Sequence, residues 1–206
     1  MPKKPSYSRF NDALIFAAQL HISQVRKGTT IPYISHLLVA AATVLEIAED
    51  DENTEDMAIA ALLHDAVEDQ GGKETLVKIR KEYGENVAEI VAACSDTLEK
   101  GKTPWEQKKK AFLEKLPYLS EQAQIVSLAD KLHNARAILL DYKKEGEALW
   151  DRFNSNKEDI LWYYCSLVKA FKKIEFTNKK APFLVSELEQ TVNRIEAAVA
   201  AKTGCI

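Results

Sequence analysis

The stretch "MAIAALLHDAVEDQGG", residues 57–72, decides how this chain reads. Its first half is apolar without interruption through Leu63, the composition of a helix buried on all sides. His64, Asp65, Glu68 and Asp69 then place four ionisable groups in six positions, and Gly71 and Gly72 close the segment. On one continuous helix these four side chains lie within an arc of about 140°. Carboxylates near a helix C-terminus oppose its dipole by roughly 0.3–1 kcal/mol each at the surface. Burying them side by side requires a compensating cation. Two readings fit the segment alone: an exposed acidic helix end, or the ligands of a divalent metal.

Working outward, glycine (7 residues) and proline (6) are too scarce to interrupt long helical runs. The spacing of Leu14, Ala17, Ala18 and Ile22 predicts a helix over 10–25, closed by Gly28 and followed by the loop "GTTIPY". A second helix is expected over 36–47. Thr54, Glu55 and Asp56 suit the cap and first turn of the quoted one. An amphipathic helix after Gly72 is divided by Gly84 from another over 85–97. Residues 100–104 read as a loop, and Pro104 suits the first turn of a helix to about 116. Helices over 120–142 and 157–174 follow, separated at Gly146. The last, over 183–202, carries Leu184, Leu188, Val192, Ile195, Ala198 and Val199 on one face. With no alternating strand pattern, linker or internal repeat, the expected fold is all-α, a compact multi-helix bundle forming a single domain over 1–206.

Composition narrows the function. Hydrophobic residues make up 46% and charged residues 29%, with a net charge of −3. Nothing in that balance favours a nucleic acid or a membrane held by bulk charge. No apolar run approaches the roughly 20 residues of a membrane span, and no signal segment is expected from "MPKKPSYSRF", which no apolar run of signal length follows. Cys94, Cys165 and Cys205 are odd in number and form no CxxC, which points to a reducing cytoplasm and away from a thiolate zinc site.

The rest of the chain favours the metal. His36 follows "IPYIS" at a helix start. Asp130 sits inside "IVSLADKLHNAR", where a mid-helix Asp has poor propensity and a burial cost. Asn134 lies one turn on, and His133 is near the same face. One histidine, a His-Asp pair and a further Asp form a mixed N/O ligand set. Such a set suits Mn²⁺, Fe²⁺ or Zn²⁺ better than an all-oxygen Mg²⁺ or Ca²⁺ cage.

Four segments in order carry a resemblance: "RKGTTIPYISH" (26–36), "ALLHDAVED" (61–69), "SDTLEKGKTPWEQKKK" (95–110) and "LADKLHNARAIL" (128–139). With them the chain resembles the HD superfamily of metal-dependent phosphohydrolases, and within it the RelA/SpoT-type hydrolase domain and the small alarmone hydrolases. The match covers about residues 8–172 and leaves the last helix outside; no synthetase domain is expected after it. The resemblance implies one Mn²⁺ held by His36, His64, Asp65 and Asp130, with Fe²⁺ or Zn²⁺ as substitutes. It also implies hydrolysis of the 3′-pyrophosphate of ppGpp or pppGpp to GDP or GTP. Glu68 and Asp69 are the expected water-handling pair, the alternative being that they hold the histidine ligands. Arg26, Lys27, Asn134 and Arg136 match nucleotide-contacting positions, and Tyr163, with Tyr164, falls near an aromatic segment lining the pocket of relatives. Lys108, Lys109 and Lys110 either form a solvated face or attract the diphosphates. Trp105 stands where some relatives carry a lysine. His21 is expected to be a surface or packing residue. The implied partner is a small-molecule nucleotide. The alternatives are another nucleotide phosphohydrolase, acting for example on a nucleotide or an NADP-type dinucleotide, and a non-catalytic nucleotide-binding HD module.

Overall fold

In a computed structural model of the protein, residues 8–48, 53–95 and 103–203 are described. They divide into two compact units, 1–100 and 101–206. The described residues form helices and no strand; one isolated bridge pairs Val25 with Pro32. The all-α expectation holds.

Unit 1 contains α1 (Ser8–Leu20), α2 (Ile34–Ile47), α3 (Thr54–Leu63), α4 (Ala66–Asp69), α5 (Lys73–Tyr83) and α6 (Glu85–Cys94). Helix α3 is its centre. Ala58 through Leu63 are all fully buried, as an apolar run without a polar stripe requires. α1, α2 and α6 pack around it, and α5 lies on α6 and α4. Burying Ile59, Leu62 and Leu63 completely contributes about 1.5–3 kcal/mol for each side chain. This burial fixes where the next residues, His64 and Asp65, emerge.

Three expectations change here. α1 ends at Leu20, not at 25, and Ile22 is 83% exposed although it continues the apolar spacing. The chain instead folds back on itself, with Arg26 N–H donating to Ile31 O at 2.8 Å and Tyr33 N–H to Gln24 O at 2.9 Å. Gly28 turns this loop at φ 71°, a backbone that an L side chain resists. The quoted segment is not one helix either. It breaks at His64–Asp65 and restarts as the single turn of α4, which ends at Asp69, with Gln70 as its C-cap before the two glycines. Helix α6 stops at Cys94, while 96–102, and with them most of the expected 100–104 loop, lie outside the described residues, as do 49–52 of the acidic connection and Cys205.

Unit 2 contains α7 (Trp105–Lys115), a 3₁₀ turn (Leu116–Tyr118), α8 (Glu121–Glu145), a second 3₁₀ segment (Gly146–Arg152), α9 (Lys157–Phe171) and α10 (Ala181–Thr203). Ser120 caps α8, its hydroxyl accepting from Ala123 N–H, and Asn156 caps α9 by accepting from Asp159 N–H. α8 packs on α10, α10 on α9, and α7 on α9. The face expected for α10 is the one it buries, through Leu184, Leu188, Val192, Ile195 and Val199. α9 ends three residues before the expected boundary, in a turn over 172–173. No described helix is long and apolar enough to cross a membrane.

Candidate metal centre

His36 lies in the first turn of α2 and is fully buried. His64 closes α3 and is 3% exposed. Asp65 follows at φ −95°, ψ −5°, a turn conformation that swings its carboxylate toward both imidazoles. Its Oδ2 lies 3.0 Å from His64 Nε2 and 3.4 Å from His36 Nε2. The two rings meet edge to face, with centroids 5.1 Å apart. The helix break, which the sequence reading did not anticipate, is what brings these atoms together: all three potential ligand atoms lie within 4.8 Å of one another.

These residues fit a divalent ion. His64 Nδ1 faces Ala61 O at 2.8 Å, and a carbonyl can only accept, so Nδ1 carries the proton. In the neutral ring Nε2 then presents a lone pair toward a carboxylate oxygen, an arrangement that is repulsive without a cation or a proton between them. Bonds of about 2.0–2.1 Å put neighbouring ligand atoms about 3.0–3.4 Å apart, the spacing found. The buried cluster is consistent with a divalent metal site.

The acidic pair lies beside it. Asp69 ends α4 and accepts from Gln24 Nε2 at 2.7 Å. Loss of hydration raises the pKa of its carboxyl and the Asp65 charge adds to that, while the Gln24 hydrogen bond and the His21 and His64 charges act in the opposite direction. Glu68 is exposed on the same turn. Arg26 is half-buried, its guanidinium 5.7 Å from the centre of the Tyr33 ring, and Lys27 is exposed on the loop.

In unit 2, Asp130 is buried on α8, with Lys131 Nζ 2.6 Å from its Oδ2 and Asn134 Nδ2 donating to Oδ1. His133 is half-buried on the same helix, whereas Arg136 is exposed and pairs with Glu187 of α10. Lys109 Nζ sits 5.1 Å from the centre of the buried Tyr163 ring. The Trp105 and Tyr164 rings meet Tyr163 at 5.8 and 5.7 Å, so residues that the sequence offered separately form one cationic and aromatic cluster. Lys110 instead pairs with Glu106 one turn back.

Sequence reasoning missed two polar residues. Tyr33 Oη donates to Asp65 Oδ2 at 2.6 Å, and Gln24 holds Asp69. Tyr33 stands within the "RKGTTIPYISH" segment, three residues before His36, a signal that could have found it; Gln24 carries none. His21 is buried, stacked on Tyr33, which makes it a packing residue.

A family profile described as "HD domain" matches residues 13–161. The chain belongs to the HD-domain family. Its similarity within that family is to guanosine-3′,5′-bis(diphosphate) 3′-pyrophosphohydrolases named MESH1. One from Xenopus tropicalis is 38% identical over 129 residues, 61% of this chain and 66% of the relative. The human protein is 37% identical over 131 residues, with the same coverage of each chain. The aligned part thus spans just under two thirds of these relatives' length. Among solved structures, one described as "A metazoan ortholog of SpoT hydrolyzes ppGpp and plays a role in starvation responses" superposes with a TM-score of 0.70 at 25% identity. That superposition covers 91% of this chain and 97% of the other. This HD-domain chain is therefore homologous to proteins of the MESH1 and SpoT type.

Proposed function

We propose that the chain, acting as a single HD-type domain, hydrolyses guanosine alarmones at the 3′ position, converting ppGpp or pppGpp to GDP or GTP and pyrophosphate. One observation carries the reading. The His36, His64 and Asp65 ligand atoms converge in a chain whose relatives are named for this reaction. Mn²⁺ is the proposed ion, with Fe²⁺ or Zn²⁺ as substitutes, since two imidazoles and carboxylate suit a borderline metal. Asp130 joins the set through its place in the "LADKLHNAR" motif and its burial on α8. A bound ion supplies a Lewis acid for phosphoryl oxygens and lowers the pKa of water.

The chain's own residues do the rest. Glu68 and Asp69 orient the attacking water and accept its proton. A carboxyl held above its ordinary range, as Asp69 is, makes a better base near neutral pH than an ordinary one. Water adds to the 3′-linked phosphorus, the ester bond to the ribose O3′ breaks, and O3′ leaves as a hydroxyl. Arg26, Lys27, Lys109, Asn134 and Arg136 meet the polyphosphate charge with donors, and the buried Tyr163 serves the substrate side by backing Lys109 with its ring. The reducing cytoplasm, where guanosine nucleotides occur, is the proposed compartment.

Incubation of Mn²⁺-loaded protein with ppGpp tests this, with GDP and pyrophosphate as the expected products. Release of inorganic phosphate from 2′- or 3′-phosphorylated nucleotides or NADP-type dinucleotides, without ppGpp turnover, would assign another nucleotide phosphohydrolase activity. Nucleotide binding without turnover would assign a binding module.

A further inference from the structure

The loop between α1 and α2 is fastened to the His64–Asp69 segment at two points. Tyr33 Oη donates to Asp65 Oδ2 at 2.6 Å, and Gln24 Nε2 donates to Asp69 Oδ2 at 2.7 Å. The two anchors are tied to each other, since Tyr33 N–H donates to Gln24 O at 2.9 Å. Gln24 Oε1 also takes contacts from His21 Nδ1 at 2.7 Å and Gln70 Nε2 at 2.5 Å, which fixes which way its amide points.

Tyr33 is held from several sides. His21 stacks on its ring at 5.2 Å and 18°, and His36 meets it at 5.6 Å and 74°. The Arg26 guanidinium lies 5.7 Å from the ring centre. One side chain thus touches the candidate metal site through its hydroxyl and the Arg26 loop through its ring.

Asp65 needs such a support. It stands on a turn between two helices, and its side chain is 23% exposed. A half-buried carboxylate on a turn still has several rotamers, and only those that turn Oδ2 to both imidazoles complete the ligand set. A phenol donating to a carboxylate at this distance is a charge-assisted bond, about twice as strong as a neutral one.

We infer that Tyr33 is a positioning residue of the metal centre: its hydroxyl holds Asp65 Oδ2 toward His36 and His64, and its ring ties the Arg26 loop to that carboxylate. This rests on the metal reading given above. Removal of a partner that orients a metal ligand costs about 10–100-fold in metal affinity.

The test compares wild type with Tyr33→Phe, which removes the hydroxyl and keeps the ring. Mn²⁺ affinity is measured by electron paramagnetic resonance, the Co²⁺ absorption spectrum is recorded, and the metal-free proteins are melted. The expected result is an affinity at least about tenfold weaker and a shifted Co²⁺ spectrum, with a metal-free melting temperature within about 5 °C of wild type. Equal Mn²⁺ affinity and an unchanged Co²⁺ spectrum would overturn the inference while leaving the metal reading intact. A variant that fails to fold, or melts far lower without metal, would make Tyr33 a structural prop and overturn the inference as well. Wild-type protein that binds no divalent ion would overturn the metal reading, and the inference with it.

Discussion

His64 Nε2 lies 3.0 Å from Asp65 Oδ2, with the opposite ring nitrogen turned to the Ala61 carbonyl. The pair is therefore set to share a cation. Any ligand bound only by the folded state stabilises it, by about 2.7 kcal/mol at one hundred times its Kd. For a chain of this size that is about 5–10 °C in melting temperature. Wild-type protein should show this rise with Mn²⁺ in differential scanning fluorimetry, and His64→Ala should show none. An undiminished rise in the variant would place the ion elsewhere.

Glu68 lies one turn beyond the ligand pair and is exposed, so its removal leaves the core untouched. Glu68→Gln should keep wild-type Mn²⁺ affinity and lose about 10²–10⁴-fold in kcat, the usual scale of general acid–base catalysis. Steady-state kinetics alongside metal titration separate the two effects. Full turnover by the variant would end the water-handling role proposed for Glu68.

The Gln24 amide lowers the Asp69 pKa against loss of hydration and the Asp65 charge, which raise it. Gln24→Leu removes that donor, so Asp69 should hold its proton to higher pH. If Asp69 accepts a proton during turnover, the acidic limb of the kcat/KM profile must move to higher pH in this variant, with the alkaline limb unchanged. A limb that stays in place would exclude Asp69 as the titrating base.

How far the sequence reached depended on which physical signal each feature leaves. The all-α fold was legible because helical periodicity runs through long segments poor in glycine and proline, and α10 buries the face that Leu188, Val192 and Ile195 define. His36, His64 and Asp65 were legible as a set because their residue types suit one ion. The break between α3 and α4 was not, since neither glycine nor proline marks it and apolar residues resume at Ala66 and Val67 straight after the His-Asp pair. Ile22 misled for the opposite reason. It has the right spacing, yet backbone pairing between Gln24 and Tyr33 diverts the chain. The Tyr33 and Gln24 contacts join residues 32 and 45 positions apart, and no local pattern encodes them.

Asp130 is buried in α8 beside Lys131 and Asn134. If it is the fourth ligand, Asp130→Ala should weaken Mn²⁺ binding at least about tenfold and abolish ppGpp turnover. The variant should also melt lower, because Lys131 loses its partner in a half-buried setting. Lys131→Ala supplies the contrast, removing the same ion pair while keeping the carboxylate. Loss of metal in Asp130→Ala but not in Lys131→Ala would assign the effect to ligation. Equal metal affinity in Asp130→Ala and wild type would remove Asp130 from the set.

In unit 2, Tyr142 and Glu147 should make stability depend on pH. The fully buried Tyr142 donates to Glu147 Oε1 at 2.5 Å, and Lys157 Nζ lies 3.0 Å from Oε2. Burial, and then the Glu147 hydrogen bond, push the Tyr142 phenol from 10.0 up to about 12. The Tyr142 and Lys157 hydrogen bonds hold Glu147 below its ordinary 4.5. The Tyr142 contribution is thus complete below pH 10 and lost as pH rises toward 12. That of Glu147 is complete above its ordinary value and lost as pH falls through the lower one. The melting temperature should be flat across neutral pH and fall at both ends. Tyr142→Phe should cost about 1 kcal/mol at neutral pH and make the alkaline fall shallower. Some fall remains because burial also pushes the Cys165 thiol of the same unit up to about 11. Thermal melts of both proteins from pH 4 to about pH 11 would show it, and an equally steep alkaline fall in the variant would exclude Tyr142 as its source.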